Sequence, residues 1–311
     1  MIGTVMQELG KALRERLRSN DRRPPAPAAV PEAQAADVPR RDASELRFDW
    51  QVLGDPESQL YGGGPSPATL DLLVAEPKFV LDVGCSVGDF GVLTKQRFPN
   101  AKVWGLEPNQ RASGLASPRL DRVLTGTLET VDWRREGVAP GEIDTVFLMD
   151  VLEHLYDPWR TLLLLRNLLG QKAQLLVSIP NVRNVLLIQD LASGYWRYRR
   201  LGLLDITHIR FFTRNDMERM FYQTGFRVLR SASTQCPGSR QIFEAHRDGG
   251  FPKTIALGCA SLTIESPAEL ADVCAVQHVF VLQPARPEEL SADERALIDG
   301  PHPATVAFSG G

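Results

Sequence analysis

The run Phe79-Val80-Leu81-Asp82-Val83-Gly84-Cys85-Ser86-Val87-Gly88-Asp89-Phe90-Gly91 leaves this chain little choice of architecture. Phe79, Val80, Leu81 and Val83 form a short apolar run, the pattern of a parallel strand covered on both faces. Gly84 and Gly88 bracket a turn in which the backbone can approach a ligand closely, since neither carries a Cβ. A helix over Asp89–Arg97 follows and aims its N-terminus at that turn. Asp82 interrupts the apolar run and is costly to bury unless it meets a donor.

The same alternation continues downstream. Strands are expected over Ala101–Asn109, Arg122–Leu124, Ile143–Met149, Gln174–Ile179, Phe226–Leu229 and Gln277–Leu282. Helices are expected over Pro67–Val74, with Ser66 as cap, over Pro158–Leu169, over Val185–Ala192 and from Thr213 towards Gly225. Strands alternating with helices imply an α/β, doubly wound, Rossmann-like domain whose ligands sit at the carboxyl ends of parallel strands. Glu107 closes the second strand about 19 residues beyond Gly88, the distance that one helix and one strand require.

Composition narrows the function classes. With 35 basic against 38 acidic side chains, the net charge is -3, which argues against a dedicated nucleic-acid binder. The four cysteines, Cys85, Cys236, Cys259 and Cys274, show no metal or redox spacing. No apolar run reaches the roughly 18 residues of a membrane span, and no signal-peptide pattern opens the chain. A reduced, cytoplasmic protein is expected.

Residues 1–19 read as a basic amphipathic helix, with Ile2, Val5, Met6, Leu9, Leu13 and Leu17 at helical spacing. Such a helix docks on its own domain, on a partner protein or on a membrane surface. Residues 20–45 form a Pro/Ala-rich linker. The folded domain is expected over 46–284, with an insertion at 232–275 and a loosely held tail over 285–311.

Asp82-Val83-Gly84-Cys85-Ser86-Val87-Gly88 resembles the first motif of class I S-adenosylmethionine-dependent methyltransferases, acid-x-Gly-x-Gly-x-Gly, with Ser86 in place of the middle glycine. Two further segments resemble a bacterial group of that family: Asp150-Val151-Leu152-Glu153-His154-Leu155-Tyr156-Asp157-Pro158-Trp159, and Gly202-Leu203-Leu204-Asp205-Ile206-Thr207-His208-Ile209-Arg210-Phe211-Phe212-Thr213. The glycines at 84, 88 and 91 do not match the Gly-x-Gly-x-x-Gly of a nicotinamide-dependent oxidoreductase. A binding module without catalysis is the other alternative, since Ser86 and Thr127 both depart from the family pattern.

The resemblance implies a seven-stranded, mostly parallel sheet whose seventh strand runs antiparallel between strands five and six. It implies S-adenosyl-L-methionine as cofactor, held by Asp82, Gly84, Cys85, Gly88, Glu107, Pro108, Thr127, Leu128 and Asp150. Glu107 would take the ribose diol with its two acceptor oxygens. Thr127 stands where many relatives place an adenine-binding Asp. The implied acceptor is a small molecule, a sugar or natural product methylated on a hydroxyl. His208 is the first candidate for the base and His154 the second, with Asp205 placed to orient His208. Pro180-Asn181-Val182-Arg183-Asn184 is expected to border the acceptor, and Tyr195-Trp196-Arg197-Tyr198 to form a lid or a packing cluster. Arg210 pairs with an anionic acceptor or with main-chain carbonyls. Asp150, Glu153, His154 and His208 offer oxygen and nitrogen donors to a metal, but the segment also occurs in relatives without one, and no metal site is assigned.

Overall fold

The computed structural model describes residues 66–299. The expected helix over 1–19, the linker over 20–45 and the start of the domain before Ser66 lie outside the described residues.

The described residues open with a short 3-10 helix, Pro67–Leu72, capped by the Ser66 hydroxyl accepting from the Ala68 N–H. It then alternates: β1 (Phe79–Val83), α1 (Asp89–Arg97), β2 (Lys102–Glu107), α2 (Gln110–Ala116), β3 (Arg122–Thr125), β4 (Thr145–Met149), α3 (Pro158–Leu168), β5 (Gln174–Pro180) and α4 (Val185–Ala192). After α5 (Arg214–Gln223) come β6 (Phe226–Thr234), α6 (Pro237–His246), the hairpin β7 (Lys253–Leu257) and β8 (Ala260–Ile264), α7 (Pro267–Cys274), β9 (Gln277–Pro284) and α8 (Ala292–Asp299).

The main sheet has the order β3-β2-β1-β4-β5-β9-β6. β1 pairs in parallel with both β2 and β4, so the winding reverses at β1 and opens a crevice there. β9 is antiparallel to β5 and β6, as the strand expected seventh should be. All of β1 is buried. Its side chains alternate between faces: Leu81 and Val83 join one apolar cluster with Leu148, Leu162 and Phe221, while Val80 joins another with Phe90, Val103 and Phe147. Both faces of the sheet are therefore covered. Among the described residues no helix is long and apolar enough to cross a membrane.

Gly105, opposite Asp82 in β2, marks how tightly α1 and its turn pack on the sheet. A Cβ there would lie 2.5 Å from Cys85 Sγ and 3.0 Å from Leu120 Cδ1. Gly105→Ala is expected to destabilise the fold by about 1–3 kcal/mol through overpacking. Urea unfolding of the variant checks this, and an unchanged midpoint contradicts it.

Three segments differ from the sequence expectation. α2 was not foreseen; the Asn109 side chain caps it by accepting from the Arg111 and Ala112 N–H groups. Within the expected insertion, β6 continues to Thr234, and the rest is a small lobe. In that lobe α6, the β7–β8 hairpin and α7 pack with α4 around Val185, Ile255, Leu257, Ile264, Leu270 and Val273. Arg183 pairs with Asp272 (2.7 Å) and Glu269 of α7 and so clasps the lobe to the end of β5. Finally, the expected loose tail is helical over α8, where Leu297 and Ile298 pack with Leu290, Ala285 and Tyr222 of α5. A short amphipathic segment finds enough apolar partner surface there to hold it.

Candidate active site

The glycine turn after β1 is stitched to the end of β2. The Gly84 N–H donates to the Leu106 carbonyl at 2.7 Å, and the Gly88 N–H to that of Cys85 at 2.8 Å. Gly84 and Gly88 have φ of 69° and 83°, the left-handed region that suits glycine. Ser86 adopts the same region at 47°, a conformation that costs a residue with a Cβ some strain. A Cβ on Gly84 would come within 2.9 Å of Val151 Cγ2.

Glu107 is buried at the strand end and organises both neighbours. Its Oε2 accepts from the Ser86 N–H at 2.9 Å and its Oε1 from the Asn109 N–H at 2.8 Å. Asp82 is 3% exposed, and its Oδ2 has no hydrogen-bond partner among the described residues. The donor that the sequence demanded for this acid is thus not supplied by the described protein. Burial, and next the charge of Glu107, push the Asp82 carboxyl up to about 7. Burial also raises the Cys85 thiol, so this cysteine is an inert packing group.

Across the crevice, Asp150 follows β4 with φ 57°. Its Oδ1 accepts from Ser178 Oγ and from Gln277 Nε2, both at 2.8 Å. The 3-10 turn Leu152–His154 then places Glu153 and His154 against the Leu203–His208 loop. Main-chain bonds fix that pairing: the Ile209 and Arg210 N–H groups donate to the Glu153 carbonyl at 3.0 and 2.9 Å. Glu153 is 1% exposed, and neither side-chain oxygen has a hydrogen-bond partner among the described residues. Burial, then the charge of Asp150, raises its carboxyl well above the usual range.

The imidazoles of His154 and His208 meet edge to face, 4.7 Å between centroids. His208 Nδ1 lies 3.1 Å from the Leu203 carbonyl, and its Nε2 lies 3.9 Å from Glu153 Oε1. Burial, and next the proximity of His154, lower the His208 imidazole to about 4, so it is neutral at pH 7. Asp205 accepts from the His208 N–H with its main-chain carbonyl at 3.0 Å, but its carboxylate turns to Thr207 and not to the His208 ring. Its Oδ1 accepts from Thr207 Oγ1 at 2.7 Å, and that hydroxyl faces His154 Nδ1 at 3.0 Å. Asp205 therefore acts on the second histidine, through Thr207.

One cleft of about 680 Å³ joins these parts. Asp82, Gly84, Cys85, Glu107, Pro108, Thr127, Leu128, Asp150, His154 and His208 all border it. Gly88 does not; a Cβ there would meet Ala116 and Leu120. Pro180 reaches the cleft, whereas Arg183 is held by the lobe. Tyr195, Trp196 and Tyr198 are exposed, and the wall beyond α4 is built by Leu201, Gly202 and Leu203 instead. Of the two readings of Arg210, the structure shows the main-chain one, with Nε donating to the Tyr156 carbonyl at 3.0 Å. Sequence reasoning missed Ser178 and Gln277, which hold Asp150; an uncharged polar residue at a strand end carries no periodic signal.

Over 105 residues the chain is 31% identical to a trans-aconitate 2-methyltransferase of Methylobacterium radiotolerans. The match covers 34% of this chain and 39% of that curated relative, so the chain spans well under half of the relative's length. Solved structures that it resembles include mitomycin 7-O-methyltransferase, at 15% identity over 70% of this chain and 52% of that one, TM-score 0.44. A further one is a methyltransferase of Thermotoga maritima, at 18% identity over 71% of this chain and 87% of that one, TM-score 0.44. The family model described as a methyltransferase domain matches residues 66–231, more than half of the chain. The sheet order agrees with that match, and the chain belongs to this family, the class I S-adenosylmethionine-dependent methyltransferases.

Proposed function

We propose that this protein methylates a hydroxyl of a small-molecule acceptor, a sugar or natural product, with S-adenosylmethionine as donor. The observation that supports this reading is the single cleft with two chemically different ends. At one end stand the glycine turn, Glu107 and Pro108, with Thr127 and Leu128 beside them. At the other stand Glu153, His154 and His208, beside Asp150. The first end suits a nucleoside: Glu107 retains acceptor capacity for a diol beyond its two main-chain donors. Asp82 offers an unpaired oxygen to a donor entering the cleft.

The donor supplies a methyl already activated by the positive charge on sulfur. What the protein adds is alignment of the acceptor oxygen with that methyl, and removal of the hydroxyl proton. The neutral His208 faces the cleft with its Nδ1 held by a carbonyl, which leaves Nε2 as the proton-accepting nitrogen. His154 is second in line.

Turnover of labelled S-adenosylmethionine with a panel of hydroxyl and amine acceptors tests the reading. His208→Ala is expected to lower kcat by roughly 10²–10⁴-fold on a hydroxyl acceptor, with S-adenosylhomocysteine affinity unchanged. Full turnover of the variant removes His208 from the chemistry. Transfer to amines alone removes the hydroxyl reading.

A further inference from the structure

The surface beyond α4 carries a patch that the cleft chemistry does not use. Every residue from 193 to 202 is exposed. Of the twelve exposed large apolar side chains among the described residues, seven lie between Leu191 and Phe211. Single exposed apolar residues are ordinary, but a concentration of them marks a surface that meets something apolar. Leu201 is 64% exposed and Tyr195 48%. The two stretches of the patch are joined, since the Trp196 and Phe211 rings meet edge to face at 5.3 Å.

Charge narrows what that partner is. Arg197, Arg199 and Arg200 are interleaved with the aromatic residues, and no acid stands between Asp190 and Asp205. The whole chain carries a net charge of -3, so this local excess runs against the overall balance. The Arg197 guanidinium lies 3.9 Å from the Tyr195 ring centroid. Among the described residues neither Arg197 nor Arg199 forms a side-chain ion pair. A second copy of this chain would bring the same positive charges to a twofold contact and be repelled. A single-stranded nucleic acid would stack on the aromatic rings but gains nothing from the exposed Leu201 and Ile209. Tyr and Trp, aliphatic side chains and arginines together make a protein face suited to a lipid–water interface.

We propose that the surface formed by residues 195–201 and 209–211 docks on an anionic phospholipid bilayer. The arginines meet the charged headgroups, and Trp196, Tyr198 and Leu201 enter the boundary between headgroups and acyl chains. Residues 1–19 carry a second basic and apolar sequence pattern, and stable anchoring takes two such signals. Leu201 also lines the cleft, so docking there brings the cleft mouth to the lipid surface. Docking of this kind is independent of which acceptor atom is methylated.

The test uses the full chain and unilamellar vesicles of two compositions: equal parts phosphatidylserine and phosphatidylcholine, or phosphatidylcholine alone. Co-sedimentation is expected with the first and not with the second, and it should weaken as salt is raised. Arg197→Gln combined with Arg199→Gln is expected to weaken binding about 30-fold, at about 1 kcal/mol per arginine. Trp196→Ser is expected to weaken it about 10-fold. The S-adenosylhomocysteine affinity of each protein serves as the folding control. Trypsin cleavage of wild type after Arg197, Arg199 or Arg200 should slow on the anionic vesicles and not on the neutral ones, a readout that needs no variant to fold. Wild type that stays in solution, variants that bind as wild type does, or cleavage that the vesicles do not slow overturns the lipid surface. So does tighter capture of a polyuridine oligonucleotide that the arginine variant loses, or a dimer in sedimentation analysis that Trp196→Ser dissolves. Either of those two results assigns the patch to that partner instead.

Discussion

Glu107→Ala is expected to weaken S-adenosylhomocysteine binding by about 100-fold, roughly 3 kcal/mol, the worth of two charge-assisted hydrogen bonds. The loss has two sources. One is the pair of bonds to the ribose that the carboxylate is proposed to make. The other is the turn itself, since Glu107 also receives the N–H groups of Ser86 and Asn109. Glu107→Gln separates them: the amide keeps an oxygen for one main-chain donor but loses the charge and half of the accepting capacity. An intermediate loss is expected for it. Calorimetry on the three proteins checks the order, and equal affinity in wild type and Glu107→Ala would remove the ribose role.

Asp82 carries the second large effect, in the stability of the ligand-free protein. Folding raises its carboxyl from an ordinary 3.8 to about 7, chiefly by burial. Well below pH 3.8 the group is neutral in both states and costs nothing. As pH rises, the unfolded chain ionises first, so this group's contribution to stability falls by about 1.4 kcal/mol per pH unit. The fall ends near pH 7 after about 4 kcal/mol in all. Asp82→Asn cannot ionise. Urea unfolding of the two proteins at pH 5 and pH 8 should show the variant gaining on wild type by a few kcal/mol at the higher pH. Parallel profiles would show that Asp82 finds a partner when folded. The two predictions are linked: Glu107 is the second cause of the Asp82 shift, so Glu107→Gln should move the falling part of the profile to lower pH.

The cofactor half of the site was legible because its determinants are local. An apolar run, a glycine-bearing turn and an acid one βα unit later lie within about thirty residues, and periodicity reads each of them. The alternation gave the doubly wound class, and the placing of β9 between β5 and β6 followed from the family resemblance. The acceptor half was legible only in part. His154 and His208 stood out as residue types, but their relation depends on two loops meeting, 54 positions apart in the chain. Asp205 was paired with the wrong histidine because three-residue proximity in a loop does not fix direction. Its partner is Thr207, and a side-chain relay of that kind is set by backbone turns. The lobe over residues 235–275 hid its strands, since β7 and β8 are only 5 residues each, although both alternate between exposed and more buried positions.

The direction of β9 has a consequence for where the lobe sits. Because β9 runs against its neighbours, it begins at the cleft, with Gln277 opposite Pro180. β6 ends on the same side, with Thr234 opposite Gln277. The lobe is thus spliced in at the rim of the cleft, which Pro180, Val276 and Gln277 line. The glycine turn follows β1, three strands from β9 in the sheet order, so the lobe's junctions and that turn meet the rim at separate places.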